Sequence, residues 1–302
     1  MHSTGQRPSR RSALALGAGA ALALGGGGTA YALPRTAGIT ARLTELEQEH
    51  TARLGVYARN MRTGRTVAYR ADERFPMASV FKTLAAAAVL RDLDRDGEFL
   101  AKRVRYTAEY VEKSGYSPIT EKAENVTGGM TVGELCDATI RFSDNTAGNL
   151  LLRELGGPTS ITRFARSVGD GVTRLDRWEP ELNSAEPWRV TDTTSPRAIG
   201  LTYARLVLGN ALEPGDGARL TEWLLGNTTS TEKFRKALPA DWRLADKTGG
   251  GRYGGNNDVG ITWPPDGTPI LMSVLTTQPE EDAAADNPLV AKTAALLAAE
   301  LR

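Results

Sequence analysis

The sequence predicts an α/β (α+β) protein in which an antiparallel five-stranded sheet flanked by helices is combined with an all-helical domain. Three observations lead to this fold class. Two strand-like runs lie near the amino end, three more lie near the carboxyl end, and the chain between them has helical periodicity. Because both ends are rich in β signals, we expect them to form one sheet and the middle to form a second domain.

The first 32 residues have the layout of a secretory signal peptide. A basic start precedes an apolar stretch from Ala13 to Leu24 and a small-residue end at Ala30-Tyr31-Ala32. Ser9-Arg10-Arg11 resembles a twin-arginine export signal, and a Sec signal is the alternative. We expect a secreted protein, extracellular or periplasmic. An uncleaved membrane anchor is disfavoured because the apolar stretch is short and rich in glycine.

Residues 33-73 are predicted to begin the sheet domain. Ile39, Leu43 and Leu46 recur at helical spacing within residues 39–52, which predicts an amphipathic helix. LGVYARN and TVAYRAD follow, separated by the glycine-containing MRTGR. This pattern predicts a β-hairpin.

Residues 74-217 are predicted to form the helical domain. The run FPMASVFKTLAAAAVLRDLD reads as a helix with Pro76 tolerated at its start. MTVGELCDATIRFSDNTAGNLLLRELGG contains two helical runs broken at Ser-Asp-Asn. Residues 172–196 are polar and lack periodicity, which indicates a functional Ω-loop. Two further helical runs, SPRAIGLTYARLVLG and GARLTEWLLGN, follow this loop.

Residues 218-302 are predicted to complete the sheet domain. RLADKTGG, NDVGITWPP and PILMSVLTTQ are strand-like runs separated by turns rich in glycine and proline. NPLVAKTAALLAAELR closes the chain as a helix. We expect the active site at the interface between the two domains.

Composition narrows the range of functions. The 37 basic and 36 acidic residues nearly balance, so a nucleic-acid partner is not expected. Cys136 is the only cysteine, which excludes an internal disulfide. His2 falls in the leader and leaves only His50, so neither a typical zinc site nor any other metal or cofactor is expected. A reactive serine would therefore need a base other than histidine.

Ser79 and Lys82 form the first candidate reactive pair. Residues three apart share one face of a helix, and a neutral lysine amine can accept a proton. A serine at a helix start also lies beside free backbone N–H groups that can bind a developing oxyanion. Alone, this S-x-x-K pattern is weak, because an exposed surface pair explains it equally well.

Three further motifs strengthen the pair. Ser143-Asp144-Asn145 lies between two helical runs, Lys247-Thr248-Gly249 ends a strand-like run, and Arg177-Trp178-Glu179-Pro180-Glu181-Leu182-Asn183 lies in the predicted loop. Each has a structural alternative as a helix cap, a polar strand end or a solvated loop. The four motifs in this order, each in a suitable context, point to a shared site instead.

Together these motifs resemble the class A serine β-lactamases, within the penicillin-recognising serine enzymes. The resemblance extends over FPMASVFKTL, YSPITEK, FSDNTAGNLLL, LDRWEPELN, DTTSP, DKTG and ITWPP, and covers nearly all of the mature chain. It implies a β-lactamase/transpeptidase-like fold and a β-lactam amide hydrolase acting in antibiotic resistance. The implied substrates are penicillins and cephalosporins, and the implied form is a monomer without stable membrane insertion after cleavage.

The resemblance also implies catalytic roles. Ser79 would be the acylated nucleophile and Lys82 would take part in its proton transfer. Ser143 would relay a proton to the leaving lactam nitrogen. Glu179, helped by Asn183, would hold the water that hydrolyses the acyl-enzyme. Whether Lys82 or Glu179 is the acylation base stays open.

A second group of residues would bind the substrate. By resemblance, Asn145 would contact Lys82 and the substrate side-chain amide. Lys247 and Thr248 would hold the substrate carboxylate. The backbone N–H groups of Ser79 and Gly250 would form the oxyanion hole. Tyr116 would lie at the mouth of the site, although a packed surface tyrosine is an almost equal alternative.

Three positions depart from the commonest family pattern. Gly250 lacks the side chain that many members carry there. Lys233 stands where some members place an arginine for the carboxylate, and Asn256 stands where others place an alternative arginine. We expect Lys233 to bind the carboxylate without the planar fork of arginine. The substrate range is left open by these departures.

Two competing functions share the fold. A penicillin-binding D-Ala-D-Ala peptidase would retain Ser79, Lys82, Ser143 and Lys247 but would remain acylated by penicillin. A non-catalytic β-lactam sensor would also profit from slow deacylation. The loop that carries Glu179 favours the hydrolase over both.

Overall fold

The computed structural model describes the backbone of residues 35–302 and the side chains from residue 38 onwards. The predicted leader, residues 1–32, lies outside the described residues. The helices are α1 Arg35–Glu49, α2 Phe81–Ala88, α3 Ala108–Ser114, α4 Ala123–Gly128, α5 Val132–Arg141, α6 Asn145–Glu154, α7 Thr159–Ser167, α8 Pro196–Val207, α9 Pro214–Leu225, α10 Phe234–Ala237 and α11 Asn287–Leu301. The strands are β1 Arg53–Asn60, β2 Thr66–Tyr69, β3 Phe75–Pro76, β4 Arg103–Val104, β5 Met130–Thr131, β6 Thr193–Thr194, β7 Arg243–Gly250, β8 Asn256–Trp263 and β9 Ile270–Thr277.

The main sheet has five strands in the order β2-β1-β9-β8-β7, and every neighbouring pair is antiparallel. The predicted fold class is therefore confirmed. The join between the two ends of the chain is the β1–β9 pair, in which Val56 lies opposite Val274. Strand β7 occupies the same eight residues, 243–250, that the sequence predicts.

Helices cover both faces of the sheet. Alternate side chains of each strand point to opposite sides, so every strand contributes to the packing on both faces. Val56 and Val274 pack with Leu43 of α1 and Leu297 of α11 in one core cluster. On the other face, Tyr57 of β1 packs with Ala204 of α8. Within the described residues, no helix is both long and apolar enough to cross a bilayer.

The helix that begins near Ser79 differs from its prediction. The sequence predicts one helix over residues 75–94, whereas Pro76 lies in strand β3, opposite Thr193 of β6. A 3₁₀ turn, Ala78–Val80, separates this strand from α2. Ala78 has a φ of 46°, in the left-handed region, so the chain cannot run from Pro76 into α2 as one helix. The reactive-serine candidate therefore lies in a turn before α2.

Helix α2 forms the centre of the helical layers. All eight of its residues are buried, including the four consecutive alanines 85–88. Alanine side chains are short, so the backbones of neighbouring helices can approach closely. The interior of the chain thus surrounds the one charged residue on α2, Lys82.

The predicted Ω-loop connects α7 to α8 and contains the 3₁₀ turn Glu181–Ser184. Asp192 closes it, because its carboxylate accepts from Arg177 Nε at 2.5 Å and from the backbone N–H of Asp176 at 2.7 Å. The Glu179-Pro180 peptide bond is cis. The loop is thus closed by the ion pair between the partly exposed Arg177 and the buried Asp192.

Candidate active site

The turn that carries Ser79 is held from three sides. Met77 N–H donates to Asp192 O at 2.8 Å, and Asn257 Nδ2 donates to Met77 O at 3.1 Å. Gly249 of β7 lies so close that a Cβ there would come within 3.2 Å of Ser79 N. A side chain at this position would require the turn to shift by a few tenths of an ångström, so the glycine of the KTG motif allows the end of β7 to lie against the turn that carries Ser79.

Lys82 places a fully buried amine next to this turn. Its Nζ donates to Asn145 Oδ1 at 2.7 Å and to Ser143 O at 2.8 Å, and lies 3.0 Å from Glu179 Oε1. A buried ammonium is costly unless it is paired and hydrogen-bonded, and these three contacts meet that condition. Gly148 of α6 leaves room for the lysine, because a Cβ there would lie 3.1 Å from Lys82 Cε.

Glu179 reaches both the serine and the lysine. Its Oε1 accepts from Ser79 Oγ at 3.3 Å, and its Oε2 accepts from Asn183 Nδ2 at 2.5 Å. Asn149 holds the backbone of Glu179 through two hydrogen bonds. Its Oδ1 accepts from Glu179 N–H at 3.0 Å, and its Nδ2 donates to Glu179 O at 2.8 Å. Asn149 is absent from the sequence-based prediction, although it lies four residues after Asn145 and therefore on the same helix face.

Ser143 connects Lys82 of α2 with Lys247 of β7. Its φ of 57° lies in the left-handed region, between helices α5 and α6. Its Oγ lies 3.5 Å from Lys82 Nζ and 3.0 Å from Lys247 Nζ. The buried carboxylate of Asp144 fixes this turn by accepting from Ala147 N–H at 2.8 Å. Ser143 is thus in hydrogen-bond range of both buried lysines.

Lys247 is fully buried on β7. Its Nζ donates to Ser143 Oγ and to Thr248 O, the latter at 2.8 Å. Burial, reinforced by the charges of Lys82 and Lys233, lowers the pKa of Lys247 well below its usual range. The hydroxyl of Thr248 is hydrogen-bonded to Thr229 Oγ1 at 2.5 Å.

Asn145 has a further contact, and three other predicted residues lie around this cluster. Asn145 Nδ2 donates to Ser114 O at 3.1 Å. Tyr116 is 62% exposed and joins the cluster through its backbone carbonyl, which accepts from Asn145 N–H at 2.9 Å. Gly250 is exposed, and a Cβ there would meet only Gly255 O, at 3.8 Å. Lys233 Nζ donates to Asn257 O at 3.4 Å.

The structure therefore brings together seven predicted side chains in one hydrogen-bonded network: Ser79, Lys82, Ser143, Asn145, Glu179, Asn183 and Lys247. Lys233 is connected more loosely, through its hydrogen bond to Asn257 O and through electrostatic repulsion between its amine and that of Lys247. The Ser79 hydroxyl contacts a carboxylate that can take its proton, and this carboxylate in turn contacts the buried amine of Lys82. This arrangement is suited to nucleophilic catalysis.

In the described part of the chain, no cluster of three or more His, Cys, Asp or Glu side chains could hold a metal ion. The expectation that the protein works without a cofactor stays a prediction.

Comparisons with known proteins agree with this arrangement. A sequence model of the β-lactamase enzyme family matches residues 38–301. A β-lactamase from Streptomyces lavendulae is 67% identical over 100% of both chains, and one from Streptomyces fradiae is 66% identical over 99% of this chain and 98% of its own.

Solved structures give the same family. The β-lactamase from Streptomyces albus G is 63% identical, with a TM-score of 0.86 over 87% of this chain and 99% of its own. The ancestral GNCA class A β-lactamase is 49% identical, with a TM-score of 0.82 over 87% and 99% of the two chains. The chain therefore belongs to the class A serine β-lactamases, the enzymes that hydrolyse the amide bond of β-lactam antibiotics.

Proposed function

We propose that this β-lactamase hydrolyses penicillins and cephalosporins through an acyl-enzyme on Ser79. The observation that carries the proposal is the contact of Glu179 Oε1 with both Ser79 Oγ, at 3.3 Å, and Lys82 Nζ, at 3.0 Å. Such a contact gives the serine hydroxyl a route for its proton without histidine.

In the acylation step, Ser79 Oγ attacks the lactam carbonyl carbon and passes its proton to Glu179 or Lys82. The carbonyl oxygen becomes an oxyanion that accepts from the backbone N–H groups of Ser79 and Gly250. The C–N bond then breaks, and Ser143 gives its proton to the departing nitrogen. The position of Ser143 Oγ between two lysine amines supports this relay, because either amine can replace the lost proton.

In the deacylation step, a water attacks the ester carbon and gives its proton to Glu179. Ser79 Oγ leaves and regains a proton, so the enzyme is restored and the opened β-lactam acid is released. The support for this role is the fixed orientation of the carboxylate. Asn183 and Asn149 hold Glu179 at its side chain and at its backbone, which positions a general base precisely enough to act.

Substrate binding is assigned to the rim of the same network. Lys247, Thr248 and Lys233 would attract the β-lactam carboxylate, and Asn145 would contact the substrate side-chain amide. Tyr116, which is mostly exposed, would contact the substrate at the mouth of the site. The lysines offer charge without a planar fork, so they favour a carboxylate of variable orientation.

The first test is the intact mass of the mature protein at intervals after mixing with benzylpenicillin, with free penicilloate assayed in parallel. We expect an adduct that disappears while penicilloate accumulates over many turnovers. A persistent adduct with about one penicillin consumed per protein would indicate a peptidase or sensor instead. Unmodified protein without penicilloate would contradict the assignment of Ser79 to this substrate.

The sequence is the basis for the proposed location and domain organisation of the protein. The mature chain would be secreted as a monomer with its site between residues 74-217 and the sheet domain of 33-73 and 218-302. Secreted protein should begin at Leu33, as amino-terminal sequencing would show. A change of Arg10 and Arg11 to lysine would block export if the signal is of the twin-arginine type, and would leave Sec export intact.

A further inference from the structure

Two buried carboxyl groups lie near the lysines and have no part in the mechanism above. Asp246 of β7 and Asp258 of β8 are 2% and 0% exposed. Asp258 lies opposite Thr248 and Asp246 lies opposite Gly260, so the two aspartates are diagonal neighbours on one face of the sheet. Tyr203 of α8 also faces them as a neutral phenol, because burial, and then these carboxyls, raise its pKa.

One oxygen of each carboxyl accepts hydrogen bonds from neighbouring groups, and the other oxygen has no donor. Asp258 Oδ2 accepts from Ser230 Oγ at 2.7 Å and from Phe234 N–H at 3.2 Å, while Asp246 Oδ1 accepts from Asn227 Nδ2 at 3.1 Å. Asp258 Oδ1 and Asp246 Oδ2 are buried, and neither has a hydrogen-bond partner among the described residues. The two carboxyls are near enough to influence each other's pKa. A hydrogen bond between the two remaining oxygens would require a proton, because ionised carboxylates only accept.

The arrangement therefore assigns the proton to Asp258 Oδ1, which donates to Asp246 Oδ2. One proton in this position gives a partner to both remaining oxygens, whereas two ionised carboxylates would leave both unsatisfied and in mutual repulsion. Burial raises the pKa of Asp258 well above its usual range, and the neighbouring Asp246 raises it further.

The cations that face the pair are Lys233 and Lys247, and Lys82 lies beyond them. Burial and the two other lysines lower the pKa of Lys247, while Asp246 and Asp258 raise it. With one shared proton, the pair has one negative charge against two ammonium groups. With both carboxylates ionised, the charges would cancel.

We propose that Asp246 and Asp258 share a single proton and form a positioning pair, whose one negative charge keeps Lys247 in its ammonium form. The subsite of Lys233 and Lys247 then retains one net positive charge for the β-lactam carboxylate. The inference rests on the proposed function, because that function assigns the substrate carboxylate to Lys247. It adds that the two aspartates set the charge of the subsite.

A spectroscopic test reports on the proton without any substrate. The infrared difference spectrum of the wild-type protein minus Asp258→Asn, at pH 7, should contain the C=O stretching band of a buried carboxylic acid. Asp246→Asn provides a second difference spectrum, because an amide at position 246 can donate to an ionised Asp258. Absence of the acid band in both difference spectra would overturn the shared proton.

Kinetics test the consequence for the subsite. In Asp258→Asn, the amide reproduces the protonated carboxyl, so kcat/KM for benzylpenicillin at pH 7 should stay within about twofold of wild type. The double variant Asp246→Asn/Asp258→Asn removes the last negative charge. The alkaline limb of its kcat/KM profile should move to lower pH by roughly one unit, through KM and not kcat.

The outcomes separate this inference from the proposed function. A tenfold rise of KM in folded Asp258→Asn, or an unmoved alkaline limb in the folded double variant, would overturn the positioning role. If circular dichroism shows that the double variant does not fold, the infrared band and the kinetics of Asp258→Asn still test the shared proton and the positioning role. A wild-type protein that does not turn over penicillin would contradict the proposed function, while the infrared band would still report on the proton.

Discussion

Lys82 and Glu179 form an ion pair whose two side chains are fully buried. Taking two charges out of water costs several kcal/mol per ion, and their attraction offsets this only when the remaining hydrogen bonds are also made. Here Asn145, Ser143 and Asn183 make them. A pair of this kind contributes little to stability, and the proposed acylation of Ser79 would account for its presence.

Removal of the Glu179 carboxylate should separate the two halves of the reaction. We expect Glu179→Ala to accumulate the Ser79 acyl-enzyme and to lose turnover by roughly a thousandfold, the usual contribution of a general base. Intact mass and penicilloate release measure the two effects. Glu181→Ala, an exposed glutamate on the same loop, is the matched control and should turn over normally. Full turnover by Glu179→Ala would remove the assignment.

Lys233 allows a test of carboxylate binding without a change in the acyl-transfer groups. Hydrogen bonds to charged groups contribute about 1.5–3 kcal/mol, so Lys233→Ala should raise KM for benzylpenicillin about tenfold or more, with kcat nearly unchanged. Lys236→Ala is the control, because Lys236 is exposed and paired with Glu232 on the surface. Steady-state kinetics that give the wild-type KM would exclude Lys233 from the subsite.

At the scale of the element, the Ω-loop is positioned by contacts with several distant segments. Asn149 of α6 clamps it at Glu179, and Arg252 N–H donates to Asn183 O at 2.9 Å. Trp188 packs edge-on against Tyr253, with ring centroids 5.3 Å apart. These contacts keep an otherwise irregular segment in one conformation, which a positioned water requires.

The ion pair that closes this loop should be needed for its order. Asp192→Asn removes the negative charge that pairs with Arg177. We expect the free energy of unfolding to fall by about 2 kcal/mol. We also expect slower deacylation and faster amide hydrogen exchange between residues 176 and 192. Asp72→Asn breaks the exposed pair with Arg197 and should cost less than about 1 kcal/mol. Equal amide exchange in the two variants would contradict the bracing role.

Prediction from sequence succeeded where the local pattern determines the element. Strand β7 was predicted to the residue, because its apolar run and glycine end are local signals. The β3–β6 pairing was missed, because two-residue strands form only where the fold brings Pro76 and Thr193 together. Motif residues were identified by their spacing, whereas Asn149 and Asp258 act through partners that are distant in sequence.

At the scale of the whole molecule, Glu47 joins the amino-terminal helix to two strands. Its carboxylate accepts from Leu54 N–H of β1 at 2.9 Å and from the Tyr69 hydroxyl of β2 at 2.6 Å. Arg70 completes the group with a hydrogen bond of 2.8 Å. Burial opposes ionisation of Glu47, but these hydrogen bonds more than offset it and lower its pKa below the ordinary 4.5.

This lowered pKa predicts a pH-dependent contribution to stability. A carboxyl with a lower pKa in the folded state stabilises the protein above its unfolded-state pKa, and the effect is lost as the pH falls through the folded-state value. Glu47→Gln should therefore be less stable than wild type at pH 7 by about 1–2 kcal/mol, and the difference should vanish well below pH 4.5. Urea unfolding across this range measures it. Glu45→Gln, on the exposed face of α1, is the matched control for the loss of a carboxylate.

The pairing of β1 with β9 has a consequence for how the chain folds. Partners in this ladder are more than 200 residues apart in sequence, and Asn60 of β1 also donates to Leu301 O at 2.7 Å. Contacts of such high contact order form late and slowly. Until β9 leaves the ribosome, the β1–β2 hairpin has an open edge that can aggregate. A nonsense codon before β9 should therefore produce an unfolded chain and no partial activity.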